Sequence, residues 1–184
     1  MGKNNKSNKG YTLVEMLIVI AIIAVMASMS DVSITIVNAA RAKDAAIQFD
    51  ASLATLITKS KNMKPNYTNG SFVATDFCMI MYKDADGNVC YADAYYDSST
   101  GTTLCEASDV VTLSTRVDAN YVGTFNGTTY DESVSLPVVT SAIVIRYDKR
   151  GNCVSGDGDY LFKKRNGNKV AHVLVRKNGS HVSR

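Results

Sequence analysis

The 184-residue sequence predicts an α+β fold, in which a long N-terminal helix is followed by a head of antiparallel β-sheet packed on the C-terminal half of that helix. Three observations lead to this prediction. No proline occurs before Pro65 and no glycine occurs between Gly10 and Gly70, so nothing breaks a helix in that stretch. After Pro65 the chain changes to short runs rich in β-branched and aromatic residues. Asn-Gly pairs, which favour tight hairpin turns, separate several of these runs.

The helix is predicted over residues 11–62 and the head over residues 66–184. The second half of the helix carries apolar residues at alternating spacings of three and four, which place them on one face. They are Ala39, Ala42, Ala46, Phe49, Leu53 and Leu56. The head is therefore expected to pack on this stripe. The sequence SMSDVS, residues 28–33, leaves open whether the helix runs straight there or melts locally.

Charge is distributed unevenly along the chain. The first ten residues carry three lysines, and the rest of the chain holds 17 basic and 17 acidic side chains. Residues 66–142 contain 2 basic and 10 acidic residues, whereas residues 143–184 contain 10 basic and 3 acidic ones. These two parts either balance each other within the head or form an interaction surface for a polyanion or an acidic neighbouring subunit.

The most apolar stretch lies near the N-terminus. Residues 16–27 are all apolar, and residues 11–29 contain only three polar side chains, one of which is Glu15. A helix of this length is just long enough to cross a bilayer, so a membrane span is predicted over residues 11–30. The preceding lysines hold the N-terminus on the cytoplasmic side by the positive-inside rule. A secretory signal peptide is the alternative, but residues 24–27, AVMA, make a poor small-residue cleavage site.

Residues 9–29, KGYTLVEMLIVIAIIAVMASM, resemble the N-terminus of type IV prepilins and type II secretion pseudopilins, the class III signal peptide. The resemblance implies that a prepilin peptidase removes a leader, residues 1–10, by cutting after Gly10. It also implies N-methylation of the new N-terminal residue, Tyr11, which stands where phenylalanine or methionine is usual. The implied fold is the pilin lollipop, whose helix anchors the precursor in the membrane and later forms the filament spine.

Glu15 is the costly residue of this segment, because an unpaired carboxylate in a low-dielectric environment is strongly destabilising. Cutting after Gly10 frees an amine at Tyr11, and that amine remains protonatable after methylation. We expect Glu15 of one subunit to neutralise the Tyr11 amine of the adjacent subunit during assembly. The carboxylate would thereby select the register between subunits.

The resemblance implies a structural subunit of a type IV pilus or related filament, most consistent with a minor pilin or pseudopilin. Three alternatives stay open: a major pilin, a DNA-binding minor pilin of a DNA-uptake filament, and a membrane-anchored surface binding protein that does not polymerise. The implied partners are the membrane, other pilin subunits, the prepilin peptidase and the pilus assembly machinery. The precursor would be a single-pass protein of the cytoplasmic membrane, and the mature chain would enter an extracellular filament or a periplasmic pseudopilus.

The C-terminal part, from SAIVIRYDKRGNCV onward, is similar to the end of FimT/GspH-type minor pilins. Its turn, Asp148 to Gly151, matches their D-x-R-G pattern, but the arginine expected after Gly179 is missing, which weakens the case for DNA binding by the tail. Basic residues are predicted to crowd around two Asn-Gly hairpins and to contact a polyanion or another subunit. They are Lys163, Lys164, Arg165, Lys169, Arg176, Lys177 and Arg184.

Four cysteines, Cys78, Cys90, Cys105 and Cys153, predict two disulfides in an exported head. A hairpin at DADG is expected to place residue 90 opposite a position near 81, with Cys78 on the other face of the sheet. This argues against a Cys78–Cys90 bond. The remaining schemes are 78–105 with 90–153, and 78–153 with 90–105.

No metal, cofactor or catalytic residue is predicted. The chain has no C-x-x-C pair for zinc, and its acidic loops at 83–88 and 155–160 are typical of ordinary turns rather than calcium sites. His172 and His181 have no nucleophile or carboxylate at a recognisable spacing, and no phosphate loop is present. The sequence therefore does not predict an enzyme.

Overall fold

The structure, a computed structural model, describes residues 11–184 except 107, 108 and 166, and it describes no side-chain environment for residues 29–33. The predicted α+β fold is confirmed: helix α1, Leu13–Asn62, is followed by antiparallel β-sheets. The helical backbone is unbroken through residues 28–33. The chain divides into two compact units between Val37 and Asn38, so the second half of α1 belongs to the head.

Thirteen strands follow α1 in the described part of the chain. They are β1 (Thr68–Asn69), β2 (Phe72–Val73), β3 (Asp76–Lys83), β4 (Val89–Asp97), β5 (Thr102–Leu104), β6 (Val110–Thr112), β7 (Val117–Phe125), β8 (Thr128–Tyr130), β9 (Ile143–Tyr147), β10 (Cys153–Ser155), β11 (Gly158–Lys164), β12 (Lys169–Val175) and β13 (His181–Ser183). A short 3-10 helix, Val139–Ser141, precedes β9.

The strands form two antiparallel sheets and a small hairpin. The first sheet has the order β10-β9-β3-β4-β5, with β6 also pairing with β4. The second sheet has the order β13-β12-β11-β7-β8, and β1 pairs with β2 alone. Pro137 lies between β8 and the 3-10 helix, and its carbonyl accepts a hydrogen bond from the Lys83 N–H at 2.8 Å. Pro137 thus lies outside the named strands, which is where a residue without an N–H donor is expected.

The apolar stripe of α1 forms the centre of the main core. Five of its six predicted members are buried, and Ala39 is half-buried. The ring of Phe49 lies 5.0–5.6 Å from the rings of Tyr91 in the first sheet and of Tyr160 and Phe162 in the second. Both sheets therefore bury one face around the same helix, which confirms that the head packs on its C-terminal half.

A second, smaller cluster covers the other face of the first sheet. It contains Cys78, Ile80, Tyr82, Cys90, Ala92, Ala94 and Ala142. Cys105 and Val110, from the connection after β5 and the start of β6, pack against it. The first sheet is thus buried on both faces, which explains why β3 has a nearly continuous apolar sequence rather than an alternating one.

Candidate assembly site and charged surfaces

The first turn of α1 is held by a reciprocal pair of residues, Thr12 and Glu15. The Thr12 N–H and the Thr12 hydroxyl both donate to Glu15 Oε2, at 2.8 and 3.0 Å. The Glu15 N–H donates to Thr12 Oγ1 at 3.2 Å. This is a capping box, in which an N-cap threonine and the glutamate three residues later satisfy N–H groups that the helix leaves unpaired. The sequence contains the pattern typical of a capping box, because Thr12 stands three residues before Glu15 and an apolar run follows. This pattern could have identified Thr12 as the N-cap.

The capping box uses only one oxygen of the Glu15 carboxylate. Oε2 accepts both bonds from Thr12, whereas Oε1 accepts no hydrogen bond within the described residues. The side chain of Glu15 is exposed, and Tyr11 is 81% exposed. Helix capping and binding of an external cation can therefore occur together at this carboxylate.

The apolar side chains between Tyr11 and Met26 are exposed along the whole of this segment, including Leu13, Leu17 and Ile20. No residue in the described part of the chain covers them. Among the described residues, no helix meets the combined length and apolarity required of a membrane span. Gly10 and the rest of the predicted leader lie outside the described residues.

The four cysteines are unbridged in the structure. Cys153 belongs to the core cluster around α1, whereas Cys78 and Cys90 belong to the cluster on the opposite face of the first sheet, against which Cys105 packs. Both pairing schemes left by the sequence join Cys153 to Cys78 or Cys90, so both would need a bond through the sheet. Burial raises the pKa of the Cys153 thiol to about 11 and also raises that of Cys78, so neither is an activated thiolate.

The sequence argument against a Cys78–Cys90 bond used the wrong register. Cys90 pairs with Tyr82, not with residue 81, so Cys78 and Cys90 point to the same face. A shift of one residue reverses the face of every side chain in a strand. The two cysteines remain far apart, because four residues along β3 span roughly 13 Å, well beyond disulfide reach.

Two turns in the head share the pattern D-x-x-G-N and the same hydrogen bonds. In the turn Asp84–Asn88, Asp84 Oδ1 accepts the N–H groups of Asp86 and Asn88, and Oδ2 accepts the Asn88 amide. In the turn Asp148–Asn152, Asp148 accepts the equivalent three bonds. These donors, led by the Asn88 N–H and the Asn152 amide, lower the pKa of both aspartates. Both carboxylates therefore act as turn caps, and the described residues contain no cluster of three metal-ligating side chains.

Both histidines have carboxylate partners that the sequence did not indicate. His172 Nδ1 lies 2.9 Å from the carboxylate of Asp159, and His181 Nε2 lies 3.6 Å from Asp50 Oδ1. The first pair joins neighbouring strands β11 and β12, and the second joins β13 to α1. Within the described residues, no serine, threonine or cysteine is hydrogen-bonded to His172, so the arrangement lacks a nucleophile next to its base.

The basic residues selected from the sequence do not form one surface. Lys163, Lys164 and Arg165 lie at the end of β11, and Lys169 begins β12. Arg176 and Lys177 follow the other end of β12, which is seven residues long. The two groups are thus about 20 Å apart along the strand. Successive hairpins of an antiparallel sheet project from opposite ends, so the basic residues around the two predicted hairpins lie in two separate groups.

Several of the residues at the β11–β12 hairpin are already engaged. Lys163 Nζ donates to the Glu132 carbonyl at 3.0 Å, and Arg165 Nη1 donates to the Thr115 carbonyl at 2.9 Å. Arg184 lies opposite His172 in the middle of β12, with backbone hydrogen bonds of 2.8 and 2.9 Å. These contacts stabilise the sheet and the loops over it.

One comparison with known proteins gives a match. A family model described as the prokaryotic N-terminal methylation motif matches residues 5–30, which include Gly10, Tyr11 and Glu15. No curated protein and no solved structure matches the chain. The motif supports a type IV pilin-like class III signal peptide, and with it a filament subunit of structural rather than enzymatic kind. It does not extend to the closing strands, where the similarity to FimT/GspH-type pilins stays a prediction.

Proposed function

We propose that this chain is a precursor of a type IV pilin-like filament subunit that is anchored in the membrane, cut after Gly10, methylated at Tyr11, and assembled through α1. The apolar N-terminal segment carries this proposal. Its side chains are exposed in the single chain and must be covered by lipid before assembly and by neighbouring helices in a filament. The methylation motif over residues 5–30 coincides with that segment.

Glu15 provides the specificity of assembly in this proposal. One carboxylate oxygen caps its own helix through Thr12, and the other is available for the Tyr11 amine of a neighbouring subunit. Among apolar helices, attraction between these two charges is strong and a mispaired register leaves both uncompensated. The pair therefore fixes which subunits come into contact, while the surrounding apolar residues supply the burial.

We further propose that the chain is a minor subunit of the filament. This proposal rests on the turn at Asp148–Gly151 and the strands after it, whose sequence is similar to that of FimT/GspH-type pilins. A major pilin is distinguished by abundance. Quantitative mass spectrometry of sheared filaments is expected to find this chain well below the level of a sibling pilin. A filament made mainly of this chain would assign it as the major subunit instead.

Replacing Gly10 by valine is expected to block leader removal, because the peptidase must accommodate the residue before the cut. The variant should run on a gel at the precursor size and remain in the membrane fraction. Gly2→Val is the matched control, since it makes the same change in the leader away from the cut and should be processed normally. Normal processing of Gly10→Val would refute the assignment of the signal.

A further inference from the structure

A small pocket lies at the end of the head where α1 enters it. The pocket has a volume of about 290 Å³ and is lined by Asn38, Thr115, Arg116 and Arg165. Asn38 is on α1, the next two residues lie in the connection between β6 and β7, and Arg165 directly follows β11. Asn38 is also the first residue of the head unit. The pocket therefore belongs to the head and lies beside the residue at which the N-terminal segment joins it.

The lining residues offer hydrogen-bond donors and include no carboxylate. The Arg165 N–H donates to the Arg116 carbonyl at 2.8 Å, which keeps the two arginines adjacent. Arg165 Nη1 donates to the Thr115 carbonyl at 2.9 Å. The Arg116 guanidinium and the Asn38 amide make no hydrogen bond or ion pair within the described part of the chain. Two guanidinium groups and an amide suit the oxygens of a phosphate.

Acidic residues near the pocket offset part of its positive charge. The β3–β4 turn lies beside Arg165, since a Cβ on Gly87 would be 3.9 Å from Arg165 Nη2. This turn, Asp84–Asn88, carries two carboxylates. Asp118 in β7 is paired with Lys83 at 2.8 Å and adds no net charge. Binding of an anion therefore depends on direct contact with the guanidinium groups rather than on a long-range field.

The position of the pocket along α1 fits a membrane surface, and this step rests on the membrane anchor proposed above. Residues 13–37 are 25 helical residues, which span roughly 38 Å at 1.5 Å per residue. A bilayer is about 30 Å thick across its hydrocarbon core and about 40–45 Å thick with its headgroups. Asn38 therefore falls at the level of the lipid headgroups.

The exposed side chains of α1 change from apolar to basic at the entrance to the head. Ile34, Ile36 and Val37 are exposed apolar residues that come just before it. Arg41 and Lys43 are exposed cations that come just after it. Long basic side chains at such a boundary lay their apolar stems along apolar surface and extend their charge to lipid phosphates. This change favours a headgroup over a free anion as the occupant of the pocket.

We propose that the pocket binds the phosphate of an anionic phospholipid headgroup, with Arg116 and Arg165 as its main contacts. A guanidinium group can form two parallel hydrogen bonds to a phosphate. A headgroup with net negative charge binds more tightly than a zwitterionic one, because the cation of a zwitterionic headgroup is repelled by the two arginines. The contact holds the head of the unassembled subunit against the membrane and must break when the subunit leaves the bilayer for a filament.

The test titrates the full-length chain in neutral detergent micelles with phosphatidylglycerol or with phosphatidylcholine, and native mass spectrometry counts the lipids that the chain retains. Phosphatidylglycerol should bind at least about tenfold more tightly, given the contribution of two arginines near anionic lipid. Replacing both, Arg116→Gln with Arg165→Gln, should reduce this preference to below about threefold. Arg116→Gln alone repeats the test if the double variant fails to fold, and it should lower the preference by about fivefold.

The matched control, Arg150→Gln with Arg176→Gln, removes the same charge from exposed turns at the opposite end of the head and should keep the preference. Equal affinity for the two lipids, or equal loss in both double variants, would overturn the proposal. Displacement of phosphatidylglycerol by excess inorganic phosphate would overturn it in favour of a site for a free anion. Absence of the preference in a chain that is still cut after Gly10 and methylated at Tyr11 would overturn the lipid site and leave the proposed function intact.

Discussion

Replacing Glu15 by leucine is expected to leave leader removal intact and to reduce incorporation of the chain into filaments by at least about tenfold. The apolar segment becomes more compatible with lipid, so insertion is not impaired. The neighbouring Tyr11 amine, however, loses its partner inside an apolar bundle. Leaving one charge of a buried pair uncompensated costs about 3–5 kcal/mol, and a loss of 1.4 kcal/mol already gives a tenfold change in equilibrium. The measurement is the amount of the chain in sheared filaments relative to the membrane.

Two further variants separate the charge of Glu15 from its role as a helix cap. Glu15→Gln retains the capping box, since glutamine also accepts at that position, but it cannot neutralise an amine. Thr12→Ala removes the hydroxyl of the cap and keeps the charge. We expect Glu15→Gln to behave like Glu15→Leu, and Thr12→Ala to incorporate at close to the normal level. The reverse result would mean that helix capping, rather than the charge pair, determines assembly.

Phe49→Ala is expected to have the largest effect on the stability of the head. The side chain is fully buried and contacts aromatic rings of both sheets at 5.0–5.6 Å. Removing it leaves a cavity at the point where α1 and the two sheets meet. We expect the free energy of unfolding to fall by about 3–5 kcal/mol, the usual cost of replacing a buried phenylalanine by alanine. Chemical denaturation of the full chain in micelles, followed by tyrosine fluorescence, measures the free energy of unfolding.

The matched control for Phe49 is Ile47→Ala on the same helix. Ile47 is 52% exposed and lies off the apolar stripe, so its replacement should change the free energy of unfolding by less than about 0.5 kcal/mol. A loss below about 1 kcal/mol for Phe49→Ala, or equal losses for the two variants, would contradict the packing of both sheets on this face of α1.

The sequence predicted best those features that depend on residues close together in the chain, such as helices, single strands and tight turns. The helix is observed at Leu13–Asn62 against a prediction of 11–62, and it begins two residues late because Thr12 is the N-cap. Strand β3, Asp76–Lys83, lies where its apolar run and the following turn predicted it. Asn126 and Gly127 both have positive φ angles, +49° and +77°, as the Asn-Gly hairpin signal requires.

Non-local features could not be predicted in the same way. The run TTYDESVSL, residues 128–136, has the composition of a strand, but β8 ends at Tyr130 because the Asp131 side chain accepts the Ser133 N–H and turns the chain. The existence of two sheets depends on β7 pairing with β11, across 32 residues of intervening chain. Nothing in either strand's own sequence specifies that partner.

The contacts of the charged residues also could not be predicted from the sequence. The acidic and basic parts were visible in the sequence, but their contacts depend on tertiary structure. Asp93 pairs with Lys59 of α1, and Lys163 contacts a backbone carbonyl rather than a carboxylate. The end of the Lys61 side chain lies against Gly151 of the β9–β10 turn, a contact between segments that are far apart in the sequence. Which basic residues share a surface therefore could not be predicted from their order in the sequence.

Mass spectrometry of the N-terminal peptide in sheared filaments tests the central claim most directly. The claim is that this chain enters a filament through an N-terminal helix produced by cutting after Gly10. We expect the filament fraction to contain the chain beginning at Tyr11, carrying one added methyl group on its α-amine. A chain in that fraction that begins at residue 1 or beyond the apolar segment, or its absence from filaments while it is processed in the membrane, would contradict the claim.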